Sequence, residues 1–231
     1  MGTMGNIHDG HRERMKQRFK EHGLDNFSDH NVLELLLFYV IPRKDVNPIA
    51  HALLDTFGSL YGVFEAPVDA LAKVPGVGES AALLIKLVPQ VNRRYLMSKA
   101  TGDGVLNSSQ KAGAYLIPKF LYEREEVVLL VCLDGNCRII SCREIGRGET
   151  NSTVVSVRRV VEVALSQNST SVILAHNHTS GIALPSQEDL ITTQQIARAL
   201  HMVNIQLADH IVVANDDFVS MSDCGVLTLS Q

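Results

Sequence analysis

Residues 174–189 read Leu-Ala-His-Asn-His-Thr-Ser-Gly-Ile-Ala-Leu-Pro-Ser-Gln-Glu-Asp, and this stretch decides how the C-terminal half of the chain is interpreted. His176 and His178 stand one residue apart, and Ser186 and Asp189 follow. The apolar run before them predicts a buried strand, and a helical pattern comes after them. Two imidazoles at the end of a strand and a carboxylate on the first turn of the next helix can meet at one point. Three such ligands, with a fourth position left to water, are typical of a catalytic zinc site.

The end of this stretch also has the pattern of a helix start. Ser186 follows a proline and has the position of an N-cap residue, and Asp189 is an acid of the kind that favours the first turn. Capping accounts for Ser186 and Asp189 but not for the two histidines. The two interpretations are compatible, because a capped first turn fixes the direction in which Asp189 points.

The spacing resembles a known motif. His-X-His, seven residues, Ser, two residues and Asp is similar to the JAMM motif of MPN-domain zinc metallohydrolases, which an upstream Glu completes. The fuller pattern HNHxSG…PSxED resembles the RadC proteins of bacteria. The segments LLDTFGSLYGVF, VPGVG, LLVCLD and ADHIVVANDDFVS also stand where a RadC protein has similar ones, so the resemblance extends from about His11 to Leu227.

The resemblance and the composition together predict an α+β protein with two domains. Residues 1–104 form an all-helical domain that contains a helix-hairpin-helix-like element at 69–88. Residues 105–231 form an MPN/JAMM domain, a cytidine-deaminase-like α/β/α sandwich with a mixed sheet. The stretch Thr101-Gly-Asp-Gly104 is interpreted as the linker, because the pattern changes there from helical to strand-rich.

Periodicity and turn residues predict the individual elements. Helices are expected at 9–22, 29–40, 48–57, 108–120, 154–167 and 186–203, with two further short helices flanking Pro75-Gly-Val-Gly78. Strands are expected at 126–133, 138–145, 171–175, 205–208, 211–214 and 218–221.

The family resemblance implies a ligand set and a reaction. His176, His178 and Asp189 would hold one Zn²⁺ per chain, with water in the fourth position. The implied reaction is hydrolysis of an amide, peptide or isopeptide bond by metal-activated water. Ser186 would donate a hydrogen bond to the oxyanion that forms during this reaction.

A general base is assigned through the same resemblance. The Glu of the family stands at the head of the strand that here reads EEVVLLVCLD, and that register gives the role to Glu126. Glu125 is the fallback if the register shifts by one residue, since strand side chains alternate between faces and only one of the two can point to the metal. Without the resemblance, Glu126 would be interpreted as a solvated charge at the start of a strand.

Three features depart from the pattern or stand outside it. Thr179 occupies a position where RadC proteins usually have proline, and Gly148-Glu149 replaces their usual Gly-Thr. Neither change touches a proposed ligand. Asp209-His210 also resembles the family, and we interpret it as a buried hydrogen-bonded pair in preference to a second metal site.

The helical domain offers an alternative function. Pro75-Gly76-Val77-Gly78 resembles the hairpin of a helix-hairpin-helix DNA-binding element, in which Gly76 and Gly78 let the backbone approach a phosphate that helix N-terminal amides bind. Such contacts carry no sequence preference. The competing interpretation is a hairpin used only for packing, which Glu79 and the equal numbers of acidic and basic residues over 1–104 favour.

Composition limits the partners and the location. A net charge of −4 gives no overall attraction to nucleic acid, and no apolar run approaches the length of a membrane helix. No signal-peptide pattern is present, and Met1-Gly-Thr-Met-Gly5 is interpreted as a start-site leader, so a cytoplasmic location is expected. The leading hypothesis is a zinc metallohydrolase that acts on a peptide or protein. The alternatives are a DNA repair or recombination accessory protein with a non-catalytic metal centre, and an interaction scaffold. The substrate and the oligomeric state are left open by the sequence.

Overall fold

The computed structural model describes residues 7–102, 104–148 and 155–227. Three positions discussed above, the Met1–Gly5 leader, Asp103 of the predicted linker and Glu149, lie outside these residues. The chain divides into two compact units, Met1–Asn92 and Arg93–Gln231. The division falls inside a long helix, earlier in the chain than the linker that the glycines predict.

The first unit is helical in its described part, as the sequence predicts. Its elements are α1 (Ile7–His22), α2 (Asp29–Leu37), α3 (Asn47–Phe57), α4 (Leu60–Glu65), α5 (Val68–Leu71) and the beginning of α6 (Glu79–Thr101). The prediction of two short helices around the hairpin is half right. The helix before it is a single turn, but α6 has 23 residues and continues into the predicted linker, because no helix-breaking residue except Pro89 interrupts its pattern.

The hairpin between α5 and α6 is shaped by its packing. Gly76 has φ +88°, and a Cβ at this position would lie 2.8 Å from Cδ1 of Ile49 on α3. Val74 and Val77 on either side of it are buried. Gly78 is different, because a Cβ there would meet no atom of the described residues within 4 Å. The fold therefore requires glycine at position 76 and leaves position 78 open.

The second unit contains the mixed sheet that was predicted. Its elements are the end of α6, α7 (Ser109–Phe120), β1 (Glu126–Leu133), β2 (Ile139–Gly148), α8 (Val157–Ser166), β3 (Ser171–Asn177), α9 (Gln187–His201), β4 (Gln206–Ala214) and β5 (Asp217–Ser220). The strand order is β2-β1-β3-β4-β5. β3 and β4 are parallel, and the other neighbouring strands are antiparallel.

Helices cover both faces of this sheet and complete the expected three layers. Val127, Leu129 and Val131 of β1 pack in the core that α7 covers. Val128 and Leu130, which point to the opposite face, pack in the core that α8 and α9 cover. Side-chain alternation along β1 therefore tells which helix layer each residue faces.

One prediction about the strands is wrong, and another gives a strand that is too short. The segments 205–208 and 211–214 belong to a single strand, β4, in which the register shifts at Ala208. Asp209 and His210 interrupt the apolar pattern of the sequence, yet both lie buried within this strand. The predicted strand 171–175 extends to Asn177, so His176 is a strand residue.

No helix in the described part of the chain is both long enough and apolar enough to cross a membrane.

Candidate metal centre

The two histidines and the aspartate come from two neighbouring elements and the loop between them. His176 lies near the end of β3, and His178 is the first residue of the loop. The backbone N–H of His178 donates to the carbonyl of Val213 on β4 at 2.8 Å, which holds this residue in line with the sheet although the strand has ended. Asp189 lies in the first turn of α9, the helix that connects β3 to the parallel strand β4.

The ligand atoms of these three residues converge. His176 Nε2 lies 3.0 Å from His178 Nε2 and 3.3 Å from Asp189 Oδ1. His178 Nε2 lies 3.4 Å from Asp189 Oδ2. Ligands held tetrahedrally at about 2.0–2.1 Å from zinc are about 3.3 Å from one another. In the described part of the chain no other group of three His, Cys, Asp or Glu residues converges in this way.

The protonation of His178 suits a metal ligand. Its Nδ1 lies 3.2 Å from the carbonyl oxygen of Ile182. A carbonyl only accepts hydrogen bonds, so Nδ1 carries the proton, and in the neutral ring Nε2 is left with a lone pair. That lone pair is directed at the nitrogen and the carboxylate of the other two residues, where a divalent cation can accept it.

The carboxylate of Asp189 is kept ionised, as a metal ligand must be. Burial by itself raises the pKa of this carboxyl. The contact with His176 and two hydrogen bonds from Ser186 outweigh that effect and hold the pKa of Asp189 well below its usual range. The side chains of His176, His178 and Asp189 are 9%, 16% and 20% exposed, so the cluster is open to water on one side.

Ser186 caps the helix that carries Asp189. Its Oγ accepts from the backbone N–H of Asp189 at 3.1 Å, and its own backbone N–H donates to Asp189 Oδ2 at 2.7 Å. The hydroxyl also donates to Oδ2 at 2.7 Å. The predicted cap is thus confirmed as a reciprocal capping box. Ser186 can donate a hydrogen bond to a substrate oxygen only when its hydroxyl hydrogen turns away from Asp189.

The strand register favours Glu126 over Glu125 as the candidate base. Val128 of β1 is paired with His176 of β3, and the two strands are antiparallel. Glu126, two residues earlier, therefore lies on the same face as His176 and at the level of His178. Glu125 precedes the strand and is exposed.

Asn177, between the two histidines, joins the candidate ligands to the strand that carries Glu126. Its side chain points to the opposite face of the sheet from the two histidines and is buried. Asn177 Oδ1 accepts from the backbone N–H of Val127 at 2.7 Å, and Nδ2 donates to the carbonyl of Glu125 at 3.0 Å. The backbone on both sides of Glu126 is therefore fixed by one side chain.

Behind the cluster, His210 and Thr193 form a second layer of contacts. His176 Nδ1 lies 2.9 Å from His210 Nε2, and the hydroxyl of Thr193 contacts Nδ1 of His210. His210 and Asp209 are buried and hydrogen-bonded, as predicted, but their side chains bond different partners. Asp209 accepts from Ser220 Oγ at 2.6 Å and from backbone N–H groups.

The contacts of Asn177 and Thr193 were not predicted from the sequence. The position of Asn177 between the two histidines could have indicated its role. Thr193 could have been found from its position four residues after Asp189, on the same side of α9. Gly76 and Gly78, the candidate DNA-binding residues, belong to the helical unit and are not part of this cluster.

One comparison with known proteins bears on this unit. The family model of the RadC-like JAB domain matches residues 106–226, which is more than half of the chain. The matched range contains all five strands of the sheet and every residue of the cluster. The chain therefore belongs to the RadC family of MPN/JAB-domain proteins.

Proposed function

We propose that this protein is a zinc-dependent hydrolase that cleaves an amide, peptide or isopeptide bond in a peptide or protein. The observation that carries the proposal is the convergence of two imidazole nitrogens and one carboxylate at 3.0–3.4 Å from one another. His176, His178 and Asp189 would hold the metal, a donor set of nitrogen and oxygen that suits zinc. When bound, zinc supplies a Lewis acid and lowers the pKa of a water molecule to about 7.

Glu126 acts as the general base and later as the general acid. Its carboxylate accepts a proton from the water that attacks the carbonyl carbon, so that a C–O bond forms. It then returns the proton to the nitrogen as the C–N bond breaks, which yields a carboxylic acid and an amine. The register with His176 and the clamp of Asn177 support this assignment over Glu125.

Ser186 stabilises the negative charge that develops on the carbonyl oxygen. Its hydroxyl lies 2.7 Å from Oδ2 of the candidate ligand Asp189. A donor of this kind is worth about 3 kcal/mol of transition-state stabilisation. The same residue caps α9, so its replacement affects both the helix start and the reaction.

Metal analysis tests the ligand set. Purified protein dialysed against zinc is expected to retain about one zinc per chain, and His178→Ala is expected to lose it. His201→Ala is the matched control, since His201 is an exposed histidine of α9 outside the cluster. A wild-type protein that retains no zinc would refute the proposal.

Peptide cleavage tests the base. The zinc-loaded protein is incubated with a complex peptide mixture, and new peptide termini are identified by mass spectrometry. Glu126→Gln is expected to retain zinc and to lose cleavage by at least the 10²-fold typical of a general base. Glu125→Gln is expected to cleave like the wild type. Zinc binding without any cleavage that depends on Glu126 would instead support the alternative, a DNA-associated protein whose metal centre is not catalytic.

A further inference from the structure

Behind the candidate metal centre, a chain of hydrogen bonds connects one ligand to another. His176 Nδ1 lies 2.9 Å from His210 Nε2, and His210 Nδ1 lies 2.5 Å from Thr193 Oγ1. Thr193 Oγ1 donates to the backbone carbonyl of Asp189 at 2.6 Å. The chain begins on β3, passes through β4 and ends on the first turns of α9, so it joins the two elements that supply the metal ligands.

The donor and acceptor of each hydrogen bond follow from the backbone carbonyl of Asp189 at the end of the chain. The carbonyl of Asp189 only accepts, so the hydroxyl hydrogen of Thr193 points to it. The sulfur of Met221, 3.2 Å from the same hydroxyl, is a weaker acceptor. The oxygen of Thr193 therefore accepts from Nδ1–H of His210.

The remaining proton position follows from the burial of His210. This side chain is 1% exposed, and its two nitrogens contact an imidazole and a hydroxyl, so burial favours the neutral ring. A neutral ring with its proton on Nδ1 has a lone pair on Nε2, which accepts from Nδ1–H of His176. The Nε2 of His176 is then the nitrogen that presents a lone pair to a metal.

We propose that His210 and Thr193 are positioning residues of the metal centre, which fix the tautomer and the ring orientation of His176 so that its Nε2 faces the ion. This inference rests on the proposed function, because it assigns a role toward the metal of that site. Residues that orient a ligand in this way typically contribute 10–100-fold to metal affinity. The carbonyl of Ile182 orients the ring of His178 in the same way, so both imidazoles are held through their Nδ1 atoms.

Two variants at Thr193 separate positioning from packing. Thr193→Val keeps the shape of the fully buried side chain and removes the hydroxyl, whereas Thr193→Ser keeps the hydroxyl and removes the methyl. Zinc affinity is measured by competition with a chromophoric chelator, and the absorption spectrum of the Co²⁺-substituted protein reports the ligand geometry. Thr193→Val is expected to bind zinc 10–100-fold more weakly with an altered Co²⁺ spectrum, and Thr193→Ser is expected to resemble the wild type.

A measurement on the wild type avoids any dependence on a folded variant. Nitrogen-15 NMR of the imidazoles in the zinc-loaded protein distinguishes the tautomers. His176 and His210 are both expected to carry their proton on Nδ1. A proton on Nε2 of His210 would overturn the inference.

The outcomes separate the inference from the function on which it rests. If the wild type and Thr193→Val bind zinc with equal affinity and equal Co²⁺ spectra, the positioning role is refuted while the metal centre stands. If neither protein binds zinc, the proposed function fails and the inference fails with it. A positioning role further predicts that His210→Gln, whose side-chain oxygen can still accept from His176, binds zinc more tightly than His210→Leu.

Discussion

At the scale of single residues, Asn177 is distinguished by the hydrogen bonds of its side-chain amide to a neighbouring strand. It stands between two candidate ligands, yet its amide contacts β1, where it completes the hydrogen bonds of Glu125 and Val127. The side chain thus continues the ladder between β1 and β3 beyond its last backbone pair, Val128 and His176. Because it spans Glu126, it links the position of the proposed base to that of the ligands.

Replacement of Asn177 should be costly. Asn177→Ala leaves a buried N–H and a carbonyl without their partner, and each such group costs about 1–3 kcal/mol. Because the contact with the Glu125 carbonyl is only partly buried, the expected loss in the free energy of unfolding lies in the lower part of the summed range, about 2–4 kcal/mol, measured by chemical denaturation of the metal-free protein.

Asn177→Asp is the matched variant for this prediction. It has the same shape and keeps the acceptor for Val127 but loses the donor to Glu125, so it is expected to be destabilised as well. Both variants are expected to retain zinc, since Asn177 supplies no ligand atom. An unfolding free energy of Asn177→Ala equal to that of the wild type would contradict the clamp.

At the scale of elements, the hairpin between α5 and α6 combines a packing role with an exposed position. Gly76 is explained by its positive φ and by the side chain of Ile49. Any substitution there disturbs the fold, so it cannot test a DNA contact cleanly. Gly78 can, because within the described ranges no atom lies within 4 Å of the position that its Cβ would take.

The hypothesis of a DNA contact predicts the behaviour of Gly78→Asp. A carboxylate beside the first amides of α6 would repel a phosphate, so the variant is expected to bind duplex DNA more weakly than the wild type while its melting temperature stays close. Gly78→Ala is the uncharged control. Binding is measured by fluorescence anisotropy at several salt concentrations, where phosphate contacts give a steep decrease with salt. A flat salt dependence, or equal binding by Gly78→Asp, counts against the DNA contact.

At the scale of the whole molecule, all three candidate ligands belong to the unit that spans Arg93–Gln231. A ligand that binds only the native state stabilises it by about 2.7 kcal/mol when its concentration is 100 times Kd. Zinc should therefore stabilise this unit and leave the helical unit as it is.

Hydrogen exchange measures this difference. Removal of zinc with a chelator is expected to speed the exchange of amides in β3, β4 and the start of α9, which hold or adjoin the ligands. Amides of α2 and α3 serve as the internal control and should exchange at unchanged rates. Unchanged exchange in β3, β4 and the start of α9 would contradict the assignment of the metal to this cluster.

The sequence alone determined the type and order of most elements and the candidate ligand set. Those features are local, because periodicity, capping residues and the His-X-His spacing act over a few residues, as the agreement at β1 and at the Ser186 cap illustrates. The sequence predicted that Asp209 and His210 are buried, but not that they lie within a continuous strand. Polar residues predicted an interruption, but partners from β3, α9 and β5 satisfy their hydrogen bonds and let β4 continue.

Only the tertiary structure decided which residues support the candidate ligands. Asn177 is adjacent to the histidines in sequence but contacts a strand 50 residues away, and His210 contacts His176 across 34 residues. The preference for Glu126 over Glu125 also came from the register of β1 on β3. Pairing of strands and the return of α9 across the sheet bring these groups together, and no local propensity specifies contacts between segments so far apart in the chain.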